Sequence, residues 1–156
     1  MRTFFVLSLS IVSLSLIALS ACGSAANAIQ GSVTEVYAMD FDVVSVSRIE
    51  DYLVIEYQKG KDGSGGKVAK LSVYVADLTI SAGNTIDLTG TVGTSPRATL
   101  QRIVEGSIDM GIARGNIQFD TPPTPGEKTT GHFRITTVAP SGRTLNGDFQ
   151  ATVAQK

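Results

Sequence analysis

The chain has 156 residues, 42% hydrophobic, 6% aromatic and 17% charged, with 13 Lys or Arg against 14 Asp or Glu. That near-neutral balance, without clustered basic residues, excludes the electrostatic footprint that binds nucleic acid. A single cysteine, Cys22, excludes an internal disulfide.

Arg2 is the only charged residue among the first 21, and Phe4 to Ala18 form an apolar run interrupted by Ser8, Ser10, Ser13 and Ser15. A membrane-spanning helix needs about 20 predominantly apolar residues. This run is shorter and serine-rich, so it reads as a signal peptide over residues 1–21. Directly after it stand Leu19-Ser20-Ala21-Cys22. This quartet resembles the lipobox of bacterial lipoproteins: a branched apolar residue, two small ones that enter a narrow protease site in extended form, then a thiol nucleophile. The resemblance implies cleavage between Ala21 and Cys22 and a thioether-linked diacylglycerol on Cys22. One acyl chain binds a bilayer only marginally, whereas two or three hold firmly. The membrane is then a partner through Cys22 alone. In lipoproteins of double-membraned bacteria an Asp after the cysteine favours the inner membrane; Gly23 therefore points to the outer membrane. Residues 22–30, largely small and uncharged, read as a flexible tether.

Residues 31–156 read as a single β-domain, long enough to bury about two-thirds of its unfolded surface. Val43 to Val46, Tyr52 to Tyr57, Lys70 to Val75 and Thr129 to Val138 are short runs rich in Val, Ile, Thr or Tyr, bounded by turn residues. The glycine-rich stretch Gly60 to Gly66 predicts a loop between two strands. So does Thr121-Pro122-Pro123-Thr124-Pro125-Gly126, where three prolines remove ladder donors. Between these, Ser95-Pro96 followed by Leu100, Ile103, Val104 and Gly106 offers helix signals. The same residues alternate as a strand through Ala98, Leu100 and Val104. The expected fold is all-β, an antiparallel β-sandwich or partly closed barrel, with one short helix near 96–105 as the open point.

At the C-terminus Leu145, Gly147, Phe149, Ala151 and Val153 share one face of a strand, with Thr144, Asn146, Asp148, Gln150 and Thr152 on the other. In the strand before it Phe133, Ile135 and Thr137 share one face, with His132, Arg134 and Thr136 opposite. Pro140-Ser141-Gly142 predicts a three-residue loop with a bulge. That loop would set Phe133 opposite Phe149 and Ile135 opposite Gly147. Gly115, Gly131 and Gly147 each open a G-x-x-x-x phrase at intervals of 16 residues, read as successive strands of a meander. The pattern Gly131, Phe133, Gly142, Leu145, Gly147, Phe149 resembles the C-terminal hairpin of uncharacterised small lipoproteins from bacterial envelopes. That likeness brings no activity with it.

Chemistry is sparse. His132 is the only histidine, and Gly93-Thr94-Ser95-Pro96-Arg97 lacks the second glycine of a nucleophile elbow. A zinc site would have to be built mainly from carboxylates. The Gly60 to Lys67 stretch fails as a phosphate-binding loop, because Lys61 and Val68 stand where a glycine and a hydroxyl are required. Asp40-Phe41-Asp42-Val43-Val44 fails as a calcium loop, with a valine at the third ligand position. Carboxylate-only chemistry remains: Asp40 and Asp42 on one strand face would be about 7 Å apart, within the range of a glycosidase pair. No cofactor and no metal is expected. The leading expectation is a lipid-anchored envelope lipoprotein whose β-domain is a non-enzymatic binding or structural module for an envelope protein or glycan. The alternatives are a hydrolase using scattered carboxylates, Asp40 and Asp42 first, with Glu50-Asp51 at a turn and Asp62 in the glycine loop beside them, and an apolar-ligand carrier.

Overall fold

A computed structural model describes residues 27–104 and 106–156. The signal peptide, Cys22 and most of the tether lie outside the described residues. The elements are β1 (Ala28–Gln30), a 3-10 turn (Ser32–Glu35), β2 (Val43–Ile49), β3 (Tyr52–Gln58), β4 (Lys67–Tyr74), β5 (Thr85–Asp87), β6 (Thr91–Val92), β7 (Ser95–Pro96), β8 (Ala98–Arg102), β9 (Ile108–Asp109), β10 (Ile112–Thr121), β11 (Lys128–Thr137) and β12 (Thr144–Gln155). The fold is all-β. One large open sheet runs β5-β10-β11-β12-β2-β3-β4-β8-β9, and β6 and β7 form a separate two-stranded ladder.

The long strand β12 joins the two halves of the sheet. Its first part pairs antiparallel with β11, and its last residues pair with β2, Val153 opposite Val46 and Gln155 opposite Arg48. That second pairing is parallel, so the sheet is mixed where uniform antiparallel pairing was expected. The same edge of β12 also receives β1, with Ala28 opposite Asp148 and Gln30 opposite Asn146. The sequence reading ran the tether to residue 30. Ala28–Gln30 is instead a strand, because Ile29 packs against the core while its backbone completes the β12 ladder.

The halves then pack face to face in a sandwich-like arrangement. Leu53, Ile55 and Tyr57 of β3 meet Ile117 and Phe119 of β10, Phe133 and Ile135 of β11, and Leu145 and Phe149 of β12 in one buried cluster. Each such side chain contributes about 1.5–3 kcal/mol by leaving water. Tyr57 stands edge-on to Phe133, centroids 6.2 Å apart, and its hydroxyl donates to the Asp148 carbonyl at 3.0 Å. The buried phenol thereby keeps its polar end satisfied.

Residues 98–102 settle as a strand. Ala98, Leu100 and Arg102 are buried and Thr99 and Gln101 half-buried, a period of two that no helix shows. Ladder pairing with β4 on one side and β9 on the other satisfies the backbone and overrides the local helix signals.

The C-terminal hairpin keeps its predicted faces but not its predicted register. Phe133 pairs with Gly147, and Ile135 with Leu145. The connection runs from Val138 to Arg143, longer than a Pro140–Gly142 loop. Thr137 closes it: its amide donates to the Arg143 carbonyl at 2.8 Å and its buried hydroxyl to the Pro140 carbonyl at 2.6 Å. A slip of two residues leaves every side chain on its own face, since the strand period is two.

Candidate functional site

The acidic pair does not assemble. Asp40 and Asp42 lie on the approach to β2, before its ladder opens at Val43, not on a shared strand face. Both are exposed. Asp40 lines a surface groove of about 450 Å³ together with Ile29, Thr34, Ala38, Met39 and Phe41. Asp42 is engaged elsewhere: its carboxylate accepts the Gly60 amide at 2.7 Å and its own amide donates to the Gln58 carbonyl at 2.8 Å. It fastens the β3–β4 loop to the start of β2. That is a fastening role, and neither acid sits in a cleft that would exclude water from it.

The other candidate residues disperse as well. Within the glycine loop Asp62 accepts the Ser64 amide at 3.0 Å, and its hydrogen bonds with Ser64 hold its carboxyl below the usual range. That stabilises a self-contained turn. Glu50 sits at the β2–β3 turn with φ 50°, a left-handed conformation that a non-glycine residue adopts at some cost. Beside it the Asp51 carbonyl accepts the Val75 amide. Ser95 stands exposed on β7, without the strand-to-helix turn of a nucleophile elbow. His132 is half-buried on the outward face of β11, between Gln118 of β10 and Asp148 of β12. Asp148 is taken by Arg134 at 3.3 Å. Among the described residues no group of three His, Cys, Asp or Glu converges in a way that could hold a metal ion.

What the sheet builds instead is a continuous polar surface. On the outward side of β5, β10, β11 and β12 the register aligns Asp87, Asn116, Arg134 and Asn146 in one row, with Arg114, Thr136 and Thr144 in the next. Two shallow grooves cross it and share Arg114, Gly115 and Asn116. One, of about 310 Å³, continues to Arg134, Thr136, Thr144 and Asn146; the other, of about 360 Å³, continues to Thr85, Asp87 and Thr89. Asp87 is occupied by the amide and hydroxyl of Thr89, which hold its carboxyl below the usual range. The exposed guanidinium of Arg114 has no hydrogen-bond or ion-pair partner among the described residues. Alternation alone placed Arg134 and Asn146 outward. The alignment with β10 and β5, and hence Arg114 at the junction of two grooves, needed the register.

The sequence reading also missed one buried acid and an ion pair nearer the surface. Glu56 on β3 is 4% exposed, paired with Lys67 at 2.5 Å and accepting from Gln58 at 3.0 Å. Arg97 forms a two-pronged pair with Asp77 at 2.5 and 2.8 Å, which holds the aspartate below and the arginine above their usual ranges. The first pair ties β3 to the start of β4, and the second ties the segment after β4 to the residue before β8.

Fold and surface together define a class: an all-β, sandwich-like domain with a filled core and open polar grooves. No known family model matches the chain, and comparison with curated proteins and with solved structures likewise gives no match.

Proposed function

We propose that this protein is a bacterial envelope lipoprotein, held by lipid on Cys22 in a membrane that Gly23 marks as the outer one, and that its β-domain is a non-enzymatic binding module. The observation that supports the binding reading best is the groove pair meeting at Arg114, whose guanidinium is unpaired among the described residues and shares the grooves with Asn116, Asn146 and several hydroxyls. Such a surface recognises a polar, anion-bearing ligand by fork-like hydrogen bonds; an envelope glycan or an acidic protein segment is its natural occupant. The hydrolase alternative has less support, since Asp40 and Asp42 are exposed and Asp42 also accepts the Gly60 amide. The apolar-carrier alternative would require room in an interior now occupied by Tyr57, Phe119, Phe133 and Phe149.

The test is capture of envelope components by the full chain in detergent, compared with Arg114→Ala. Arg114 is exposed and has no partner among the described residues, so its loss should leave stability unchanged while releasing the bound component. Equal capture by the two proteins would remove Arg114 from the binding surface.

A further inference from the structure

The outer face at one end of the sheet carries a different patch. Ile49 and Tyr52 are cross-strand partners, each 37% exposed, and Tyr52 is in turn paired with Tyr74. The two tyrosine rings stand edge to face with centroids 5.4 Å apart. The domain's other exposed large hydrophobic side chains, Val36 and Val138, stand on separate segments. The β2–β3 turn therefore presents an isoleucine and an aromatic pair side by side.

The chain leaves the domain toward that same end. Strand β1 runs antiparallel to β12, so going backward from Ala28 the backbone heads along β12 toward its C-terminus. Asn27 is still fixed there, its side-chain oxygen accepting the Gln150 amide at 2.6 Å. From Gln150 to Gln155, the residue level with Arg48 beside the turn, β12 advances about 17 Å at the usual strand rise. From Asn27 back to Cys22 there are five residues, which can span at most about 18 Å. Fully extended, the leash only just reaches the end of the sheet.

We propose that Ile49, Tyr52 and Tyr74 rest in the headgroup layer of the membrane in which Cys22 is anchored; this rests on the lipoprotein reading. With so short a leash, a bilayer facing this end comes up to the β2–β3 turn. Tyrosine suits such a boundary, an apolar ring in the acyl margin and a hydroxyl in water. The neighbouring charges are mixed: Arg48, Lys156, Glu50 and Asp51 surround the turn, and Asp77 and Arg97 neutralise one another. A patch of that balance fits zwitterionic headgroups, not an anionic surface that rewards clustered Lys and Arg.

The chain contains no tryptophan, so single tryptophans report position. Tyr52→Trp, Ile49→Trp and Val138→Trp, the last at the opposite end of the sheet, are each purified as the full lipidated protein. They are reconstituted in phosphatidylcholine vesicles containing brominated phosphatidylcholine, with lipid on Cys22 verified by mass. The Tyr52 and Ile49 reporters should shift to the blue and lose most of their emission, and the Val138 reporter should keep its own. Unquenched reporters at both turn positions in a lipidated protein would overturn the docking and leave the anchor standing. Equal quenching at Val138 would overturn it too. Absence of lipid from Cys22 would bring down the anchor reading and the docking with it.

Discussion

Phe119 and Phe149 meet edge to face across Gly131, their ring centroids 5.6 Å apart at 66°. Phe119 is the register partner of Gly131 on β10, and Phe149 its partner on β12. The 16-residue repeat acquires a physical meaning from this. Each glycine of the meander sits opposite a bulky neighbour, Gly131 between two phenylalanines, Gly147 beside Phe133 and Gly115 beside Ile135, and these side chains cover the backbone that glycine leaves bare. A Cβ on Gly131 would come within 2.7 Å of the Phe149 ring and closer still to the Gln118 carbonyl oxygen. The backbone oxygen cannot swing aside. Gly131→Ala should lose about 1–3 kcal/mol through overpacking, and Phe149→Ala about 3–5 kcal/mol through the cavity it leaves. Urea unfolding of the two variants measures both, and a Gly131→Ala protein as stable as the parent would contradict this packing.

Gly147 makes the same case against a polar group. A Cβ there would strike the Phe133 ring and lie 2.5 Å from the Tyr57 hydroxyl. The expected result of Gly147→Ala is displacement of Tyr57 from the Asp148 carbonyl, adding a broken buried hydrogen bond worth about 1 kcal/mol to the steric cost. In a Tyr57→Phe background, where that bond is already absent, the alanine should cost less. A double-mutant cycle reads the difference, and strict additivity would show that the two sites do not communicate.

Tyr57 also sets a pH response. Burial pushes its hydroxyl far above the ordinary phenol value of about 10, with the Asp148 charge adding to the shift and Arg134 opposing it. The folded state therefore prefers the neutral phenol, while the unfolded chain ionises near its ordinary value. This contribution is fully present below about pH 10 and is lost as pH rises above it, at up to about 1.4 kcal/mol per pH unit. Lysines titrate in the same window, so the measurement is the difference between parent and Tyr57→Phe from pH 8 to pH 11. The parent should lose stability more steeply. Parallel curves would mean that Tyr57 ionises as easily folded as unfolded.

Cys22→Ser removes the sole thiol of the chain. Metabolic labelling with a radioactive fatty acid should give a labelled parent and an unlabelled variant, and the variant should leave the membrane fraction. Label retained on the serine protein would refute the anchor outright.

Strand identity was legible locally because a strand's side chains alternate with a fixed period. Val43 to Val46, Tyr52 to Tyr57 and Thr129 to Val138 all fall largely within observed strands, and Phe133, Ile135, Leu145 and Phe149 are buried as their alternation required. The candidate site was legible only as a parts inventory. Arg134 and Asn146 read as outward-facing, but nothing in their sequence neighbourhood signals that Arg114 and Asn116 share their surface. Asp40 and Asp42 looked like a pair because they are two residues apart; the amide of Gly60, which claims Asp42, is 18 residues away.

By itself, then, the sequence determined the faces, the places where the chain turns and the all-β class, each a property of a few consecutive residues. Tertiary structure alone decided that β12 would share one edge between β1 and β2, that its end would pair in parallel, and that the C-terminal hairpin would settle two residues from the register its turn residues suggest. Those outcomes depend on which distant backbone groups satisfy one another. They also depend on which rings fill the space over Gly131 and Gly147, and contacts at such separations leave no periodic trace along the chain.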